Sequence, residues 1–243
     1  MFFWMTWVKF EMRNRSSSAV VNDLANKLRR DIALGTLTPG ARLNIEALKR
    51  DHKVSHPSIR EALALLAGEG YVSAQDNKGY RVLAYSLDDL KDSSRLRAEL
   101  ECVGFRWSVE NATREWRASV VAAHHLLSEV EADMLNDPAS FAIEWDARNL
   151  QFHQALIGNC GSPRLLETMG NLYDMTRRYR LMDYSNTQLD HQSWLTNSAE
   201  EHAKIKECAL NGDIETGTRL LREHTTKSVA QSDGVILHLS QNR

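Results

Sequence analysis

Apolar residues recur every three to four positions in several short stretches near the front of the chain. In residues 19–35 the recurring apolar positions are Val20, Leu24, Leu28 and Ile32. This spacing is typical of a helix with one buried face. A turn centred on Pro39-Gly40 follows, and residues 44–52 have the pattern of a second, shorter helix.

A third helix is predicted within residues 54–72, which read VSHPSIREALALLAGEGYV. Ser55 can cap its start, and Pro57 is tolerated in the first turn. Its apolar positions, which recur at helical spacing, are Ile59, Ala62, Leu63 and Leu66. The first turn is polar and the remainder has an apolar face, so the helix is expected to display one end and pack through the rest.

The stretch after the third helix has the pattern of a β-hairpin. Two runs with strand-like composition, YVSAQ and YRVLAY, flank DNKG at residues 76–79, and Gly79 falls near the predicted turn. The order of three helices followed by a hairpin predicts a winged helix-turn-helix over residues 19–85.

From residue 87 to about residue 232 the pattern is helical throughout. The helical segments lie near residues 87–111, 114–135, 138–158, 162–183, 197–210 and 213–232. We therefore predict a mainly α protein, with an N-terminal winged helix-turn-helix and a C-terminal all-α six-helix bundle. The domain assignment is a disordered leader over 1–18, the winged domain over 19–85, the bundle over 86–235 and a tail over 236–243.

Charge and cysteine content fit a cytoplasmic protein with two dissimilar halves. Residues 15–86 carry 11 Lys and Arg against 7 Asp and Glu, whereas the whole chain has a net charge of −2. A basic front favours a polyanionic partner. Three widely spaced cysteines favour a reducing compartment.

The apolar opening MFFWMTWVKF has no basic residue ahead of it and no small-residue cleavage site, so no signal peptide, membrane span or membrane partner is expected.

The polar first turn of the third helix is what DNA reading requires. In a helix-turn-helix the second helix of the motif lies in the major groove, and its N-terminal residues contact base edges. The residues predicted to contact DNA are Lys49, Arg50, Ser55, His56, Ser58, Arg60, Lys78 and Arg81. The alternative is an ordinary capped surface helix in which Arg60 pairs with Glu61 or Glu69, but the turn and the hairpin favour the DNA interpretation.

Histidines in the bundle have spacings that suit a metal site. Asn149 and His153 are four residues apart and share one helical face. His202 and His224 flank the Asn211–Asp213 turn at similar distances, so two antiparallel helices would bring them to the same height. Three imidazoles and one amide oxygen make a partial shell for Zn²⁺ or Ni²⁺. Hydrogen-bonded structural histidines remain an alternative, as does a metalloenzyme, although no HExxH motif or general base is evident.

The front of the chain closely resembles the GntR family of bacterial transcription regulators. The matching stretches are LRRDIALGTLTPGARL, VSHPSIREALALLAGEGYV and NKGYRV, within residues 19–85. His56 stands where arginine is commoner in the family. Glu46 stands where some members carry a base-contacting arginine. The resemblance therefore implies DNA binding, with an operator of this protein's own.

The back of the chain, residues 87–232, resembles the FCD effector domain of the FadR branch, in its shorter VanR-like version. Four residues match the family's metal motif position by position, with Asn in place of the usual Asp: Asn149, His153, His202 and His224. The stretch NLQFHQAL…LLETMGNLYDMTRRYR is most similar to carbon-starvation-induced regulators, which sense a small dicarboxylate. Arg97 resembles the family's helix-one arginine, which can bind a carboxylate. Arg178 and Arg180 are further effector-binding candidates, unless they pair with Asp174 or Asp183.

The sequence thus predicts a ligand-responsive transcription regulator rather than an enzyme. It is expected to be a repressor that binds a palindromic double-stranded operator as a homodimer. The resemblance implies a small carboxylate effector and a divalent transition metal, Zn or Ni, in the bundle.

Overall fold

The computed structural model describes residues 18–32, 35–75, 79–185 and 191–241. The chain divides between Ala84 and Tyr85 into two compact units, one residue from the boundary predicted from the pattern. The predicted leader, apart from its last residue, lies outside the described residues, and so does Lys78.

The first unit is a winged helix-turn-helix, as predicted. Its elements are α1 (residues 18–32), β1 (Arg42–Leu43), α2 (Ile45–His52), α3 (His56–Gly68), β2 (Val72–Gln75) and β3 (Gly79–Val82). The three strands form an antiparallel sheet in the order β1-β3-β2. The pattern predicted the β2–β3 hairpin but not β1, because a two-residue strand is too short to show alternation.

The starts of helices α2 and α3 and the core of the first unit are those that the sequence pattern indicates. Asn44 caps α2 by accepting hydrogen bonds from two backbone amides, and Ser55 caps α3 by accepting from the amide of Ser58. The apolar face of α3 is fully buried against α1 and the sheet, and its residues are Ile59, Ala62, Leu63 and Leu66. Each buried Ile or Leu side chain contributes about 1.5–3 kcal/mol, so packing fixes the orientation of α3.

The second unit is an all-α bundle of six helices among the described residues, as predicted. The helices are α4 (Leu87–Glu110), α5 (Arg114–Met134), α6 (Pro138–Ile157), α7 (Pro163–Ser185), α8 (His191–Asn211) and α9 (Ile214–Gln241). Two of their limits differ from the prediction by more than two residues. Helix α8 begins about a turn and a half earlier, because its polar first turns show no apolar periodicity. Helix α9 continues through most of the predicted tail, since one helix-interior glycine, Gly234, costs only about 1 kcal/mol.

Helix α4 packs closely against its neighbours through a glycine. A Cβ atom added to Gly104 would lie 2.9 Å from Cβ of Ile157 on α6 and 3.0 Å from Cδ2 of Leu165 on α7. The Cβ of Ile157 is fixed by its backbone and cannot move away. The α4–α6 contact therefore depends on the absence of a side chain at position 104.

We expect Gly104→Ala to destabilise the bundle by about 1–3 kcal/mol, because an overpacked core forces backbone shifts. Gly170→Ala is the matched control, since Gly170 lies within α7 and no atom stands within 4 Å of its added Cβ. That change should be neutral or stabilising, by up to about 1 kcal/mol. Urea denaturation followed by tryptophan fluorescence measures both. Equal effects of the two substitutions would contradict the close contact.

Candidate DNA-reading face and metal centre

The first turn of α3 displays polar side chains, while the apolar residues that follow, Ile59, Ala62, Leu63 and Leu66, are buried. Ser55 and Ser58 lie at the surface with their Oγ atoms 2.9 Å apart. Arg60 is exposed, whereas its neighbour Ile59 is fully buried. The arrangement leaves short donors and one long cation on the outer side of the helix, which suits contacts to base edges and phosphates.

Arg60 is held by no ion pair or hydrogen bond within the part of the chain that the structure describes. Glu69, one of the two partners considered for it, binds Arg29 instead, with Nε and Nη2 of Arg29 at 2.6 and 2.5 Å from the carboxylate oxygens. The alternative in which Glu69 neutralises Arg60 is therefore wrong. The guanidinium of Arg60 is available to an external anion.

The remaining predicted DNA contacts fall on α2 and on the sheet. Lys49 and Arg50 are exposed in the last turn of α2. His56 lies 2.8 Å through its Nε2 from Oε1 of Glu46, so α3 and α2 are joined at the surface by this pair. Arg81 is exposed on β3 but donates to the carbonyl of Gly40 at 2.7 Å, which holds the turn before β1 against the hairpin.

Three histidines from three different helices meet inside the bundle. His153 lies on α6, His202 on α8 and His224 on α9. One ring nitrogen from each lies within 4.8 Å of the others. The Nε2 atoms of His202 and His224 are 3.1 Å apart. Asn149 lies one turn before His153 and is buried on the same face of α6.

Each imidazole has a carboxylate behind it. Nδ1 of His153 lies 3.1 Å from Oε2 of Glu101, Nδ1 of His202 lies 2.7 Å from Oε1 of Glu131, and Nδ1 of His224 lies 2.8 Å from Oε2 of Glu201. A neutral imidazole has one N–H and one lone pair. With Nδ1 donating to a carboxylate, each Nε2 presents its lone pair to the centre of the cluster, which is the arrangement of metal-binding histidines.

Two of the four donor atoms that a metal would need have no hydrogen-bond partner among the described residues. Nε2 of His153 and Oδ1 of Asn149 are buried without a hydrogen bond, while Nδ2 of Asn149 donates to the hydroxyl of Tyr173 at 2.9 Å. A buried polar atom without a partner costs about 1–3 kcal/mol. A divalent cation would satisfy both atoms, so these residues fit the Zn or Ni site predicted from the spacing.

Burial sets the protonation of the cluster. It lowers the pKa of His153 to about 3 and holds the pKa of His202 well below its usual value. Both rings are therefore neutral, as metal ligands must be. Burial would raise the pKa of Glu101, but Arg97 and His153 hold it well below its ordinary value. Burial raises the pKa of Glu131 to about 7.

A cavity opens beside the histidines and contains two of the three predicted effector-binding arginines. About 430 Å³ of space, part of it open to solvent, is lined by residues that include Arg97, Asn149, Arg180 and His224. Nε of Arg97 donates to Oε1 of Glu101 at 2.7 Å. Arg180 is held by Asp146 and by the hydroxyl of Thr176 at 2.7 Å. Both guanidinium groups lie over the ring of Tyr173.

Arg178 lies elsewhere. Its Nη2 donates to the hydroxyl of Tyr179 at 2.9 Å and lies 3.5 Å from Oδ2 of Asp89 at the start of α4. Two residues along a helix differ by about 200° in direction, so Arg178 and Arg180 cannot face the same cavity. The structure therefore does not bring Arg178 together with Arg97 and Arg180.

The carboxylates behind the histidines were not predicted. Glu101 follows Arg97 by four residues, a spacing that places both on one face, and this signal was available. Glu201 precedes His202 but contacts His224, and Glu131 comes from α5, so sequence spacing connects neither to its partner.

No helix in the described ranges is both long and apolar enough to cross a membrane.

The comparisons with known proteins agree with the two units. Residues 21–82 match the family of bacterial regulatory proteins, gntR family, and residues 92–227 match the FCD domain. The HTH-type transcriptional regulator BphR of Paraburkholderia xenovorans (strain LB400) is 38% identical over 204 residues, which cover 84% of this chain and 81% of that protein. The HTH-type transcriptional repressor GlaR of Escherichia coli (strain K12) is 32% identical over 197 residues, which cover 81% of this chain and 88% of GlaR.

A solved structure of a related regulator has a similar fold. The crystal structure of a GntR transcriptional regulator from Rhodococcus sp. RHA1 aligns with a TM-score of 0.67 at 26% identity, over 88% of this chain and 97% of that chain. The matched families and relatives are transcription regulators, and none is an enzyme. The metalloenzyme alternative is therefore set aside. The chain belongs to the GntR family of bacterial transcriptional regulators and carries an FCD domain behind its winged helix-turn-helix.

Proposed function

We propose that the protein is a repressor that binds a palindromic operator as a homodimer and responds to a small carboxylate bound at a metal in the FCD bundle. The observation that supports the metal and its ligand most directly is the convergence of one ring nitrogen from each of three histidines beside a cavity that Arg97 also lines. The relative GlaR is a transcriptional repressor, which favours repression over activation for this protein.

DNA reading is assigned to the outer side of α3. Its buried face fixes the helix on α1 and the sheet, so the polar first turn enters the major groove as a rigid element. The side chain of Arg60 is long enough to bind a guanine edge or a phosphate, and it forms no ion pair or hydrogen bond with the described residues.

We expect Arg60→Ala to weaken operator binding by about 1–3 kcal/mol while leaving thermal stability nearly unchanged. Arg164→Ala is the control, since Arg164 is an exposed arginine of the FCD domain and the same loss of charge there should not alter DNA affinity. Fluorescence anisotropy with the protein's own upstream DNA measures the affinity, and the melting temperature is recorded in parallel. A comparable loss of melting temperature in Arg60→Ala would contradict a role confined to DNA.

The metal is assigned to His153, His202 and His224, with Oδ1 of Asn149 as a fourth donor. A bound Zn²⁺ or Ni²⁺ with an open position supplies a Lewis-acid partner for a carboxylate oxygen. The neutral amide of Asn149 contributes no charge, so the cation keeps more of its positive charge for an anionic ligand.

Arg97 adds a planar guanidinium at the wall of the same cavity. Glu101 accepts from Nε of Arg97, so the Nη groups of Arg97 are the ones assigned to the carboxylate. By contrast, Nε, Nη1 and Nη2 of Arg180 all donate to protein oxygens.

Repression and its release require that the effector favours one arrangement of the protein over another. A ligand shifts such an equilibrium only by its difference in affinity for the two states, and a coupling of about 1–3 kcal/mol is typical. Electrophoretic mobility shifts against the protein's own upstream DNA, with and without a carboxylate, test this. We expect a salt-sensitive and sequence-selective complex. No preference over random DNA would contradict the proposal.

Dimerisation is assigned to an exposed apolar stripe on α4. Leu96, Val103 and Trp107 are exposed to 49%, 38% and 39%, and Leu100 lies half-buried between them. At 3.6 residues per turn these four side chains fall within about 60° of one another. An unpaired apolar row of this kind is typical of a protein–protein contact.

The charges beside the stripe fit a second copy of the same chain. If two α4 helices pack antiparallel with Leu96 of one copy opposite Trp107 of the other, then Arg95 of each copy faces Glu110 of the other across the pair. A two-fold interface must be complementary to itself, and this pair of charges meets this condition. The stripe therefore supports a homodimer rather than an unrelated partner.

We expect Val103→Glu to weaken the dimer by at least about 10-fold, because two-fold symmetry places the carboxylate in the interface twice and each desolvated polar group costs roughly 1–3 kcal/mol. Val121→Glu is the matched control, since Val121 is 46% exposed on α5 and outside the stripe. Sedimentation velocity over a concentration series measures the affinity. The assignment fails if Val121→Glu disrupts the dimer and Val103→Glu does not.

A further inference from the structure

Helices α6 and α8 carry matching sets of an aromatic, a polar and a histidine residue at the same spacing, and the aromatic and polar members of both sets line the cavity. On α6 the residues are Trp145, Asn149 and His153; on α8 they are Trp194, Ser198 and His202. Each set has the register i, i+4, i+8, which places its members on one face of its helix. Five of these six residues are at least nine-tenths buried, Trp194 being the exception.

The two sets are paired in layers. The rings of Trp145 and Trp194 contact each other with centroids 5.4 Å apart, and those of His153 and His202 lie 6.0 Å apart. The two helices therefore run in the same direction here. Four residues correspond to about 6 Å of helix, so an aromatic layer, a polar layer and a histidine layer follow one another along the two helices. The first two layers line the cavity, and His224, which contacts the histidine layer, lines it as well.

The middle layer contains two buried oxygen atoms without hydrogen-bond partners. One is Oδ1 of Asn149, which the metal site accounts for. The other is Oγ of Ser198, which lies on a 4% exposed residue lining the cavity. No residue in the described ranges satisfies this hydroxyl, and an unpaired buried hydroxyl costs free energy. The hydroxyl of Ser198 is not one of the proposed metal ligands, so it remains available to hydrogen-bond to a bound ligand.

Resting on the proposed function, we infer that the effector is a carboxylate with a short, flat, unsaturated or aromatic body and a further polar substituent. The carboxylate binds at the histidine layer, the substituent hydrogen-bonds to Ser198, and the flat body packs against the Trp145–Trp194 pair. Aromatic rings in contact gain free energy beyond the area that they bury, which favours a flat body over a saturated one.

The charges of the cavity argue against a second carboxylate at the far end. Lys227 lines the cavity, but its Nζ lies 2.6 Å from Oε1 of Glu201. Arg180 is bound to Asp146 and Thr176. Both cations are thus already paired, and a second carboxylate would have to displace one of these partners. A flexible aliphatic dicarboxylate is the competing ligand class.

Isothermal titration calorimetry on the zinc-loaded, full-length protein distinguishes these classes. The probes are benzoate, its 3- and 4-hydroxy derivatives, cyclohexanecarboxylate as a saturated ring of matched size, and glutarate as the dicarboxylate. We expect benzoate to bind about 3- to 10-fold more tightly than cyclohexanecarboxylate. One of the hydroxybenzoates should bind more tightly still, by a similar factor.

Two variants assign the preferences to their residues. Trp194→Leu should remove the preference for the flat ring, and Ser198→Ala should remove the gain from the hydroxyl while leaving benzoate affinity unchanged. Circular dichroism checks that both variants fold. The inference is overturned if glutarate binds as tightly as benzoate, or if Ser198→Ala weakens benzoate and hydroxybenzoate equally. Binding of none of the carboxylates would overturn the proposed function itself.

Discussion

Replacing Glu101 with alanine is expected to destabilise the bundle by about 3–5 kcal/mol, the range typical for removing one partner of a buried ion pair. The side chains of Arg97 and Glu101 are 5% and 0% exposed, and their contact is 2.7 Å. The same carboxylate accepts a hydrogen bond from Thr225 at 2.9 Å and contacts His153. Without it, the guanidinium of Arg97 keeps its charge but loses its acidic partner among the described residues.

A matched control lies two residues earlier on the same helix. Glu99 also pairs with an arginine, Arg222, at 2.9 Å, but both side chains are about half exposed. Exposed pairs of this kind contribute about 0–1 kcal/mol, so Glu99→Ala should change stability little. Urea denaturation in the presence of EDTA compares the two variants without any contribution from a metal.

Tryptophan fluorescence reports on this unit, because four of the six tryptophans lie in the bundle: Trp107, Trp116, Trp145 and Trp194. The account of a charge network at the centre of the bundle fails if Glu101→Ala costs less than about 1 kcal/mol, or if Glu99→Ala costs as much.

Replacing His224 with alanine is expected to lower zinc affinity by more than about 100-fold, the upper end of what loss of an outer-shell residue alone produces. His224 is the least buried histidine of the cluster, with 12% of its side chain exposed, so its removal is the least harmful to folding. Its Nε2 lies 3.1 Å from that of His202. Loss of one of three imidazoles leaves too few donors for a tetrahedral site.

His125→Ala is the control for this experiment. His125 is 70% exposed on α5 and lies outside the cluster. Zinc content of untagged protein by elemental analysis, with competition titration for affinity, measures both variants. Two results would favour purely structural histidines. One is that His224→Ala retains zinc. The other is that the unaltered protein contains no transition metal and that EDTA does not change its melting temperature.

The architecture could be predicted from local pattern because each helix has its own apolar face and its own end signal. The breaks at Asn111, Asn159–Pro163 and Asn211–Asp213 all separate helices in the structure. Elements without local periodicity were predicted less well. β1 is defined by its partners Arg81 and Tyr80 on β3, which are nearly forty residues away, and pattern alone does not connect them.

The candidate metal centre was accessible from the sequence because its residues lie at helical spacings. Asn149 and His153 share a turn, and the short connection between α8 and α9 brings His202 and His224 together. The surrounding shell was not accessible, because Glu131 reaches His202 across the bundle from α5. Helical geometry alone excludes that Arg178 and Arg180 both face the cavity, since about 200° separates them. Which of the two faces it depends on tertiary packing and could not be predicted from the sequence.

Helix α4 has a different role on each of two faces. Glu101 and Arg97 lie on the buried face toward the histidine cluster, while Leu96, Val103 and Trp107 lie on the exposed face proposed for dimerisation. A rigid helix of 24 residues, about 36 Å long, cannot turn on one side without turning on the other. If ligand binding shifts this helix and so changes the affinity for the second copy, thermodynamic linkage requires the second copy to change the affinity for the ligand by the same factor. The cellular abundance of the protein would then help to set the ligand concentration that triggers its response, so that gene dosage tunes sensitivity without a change in any residue.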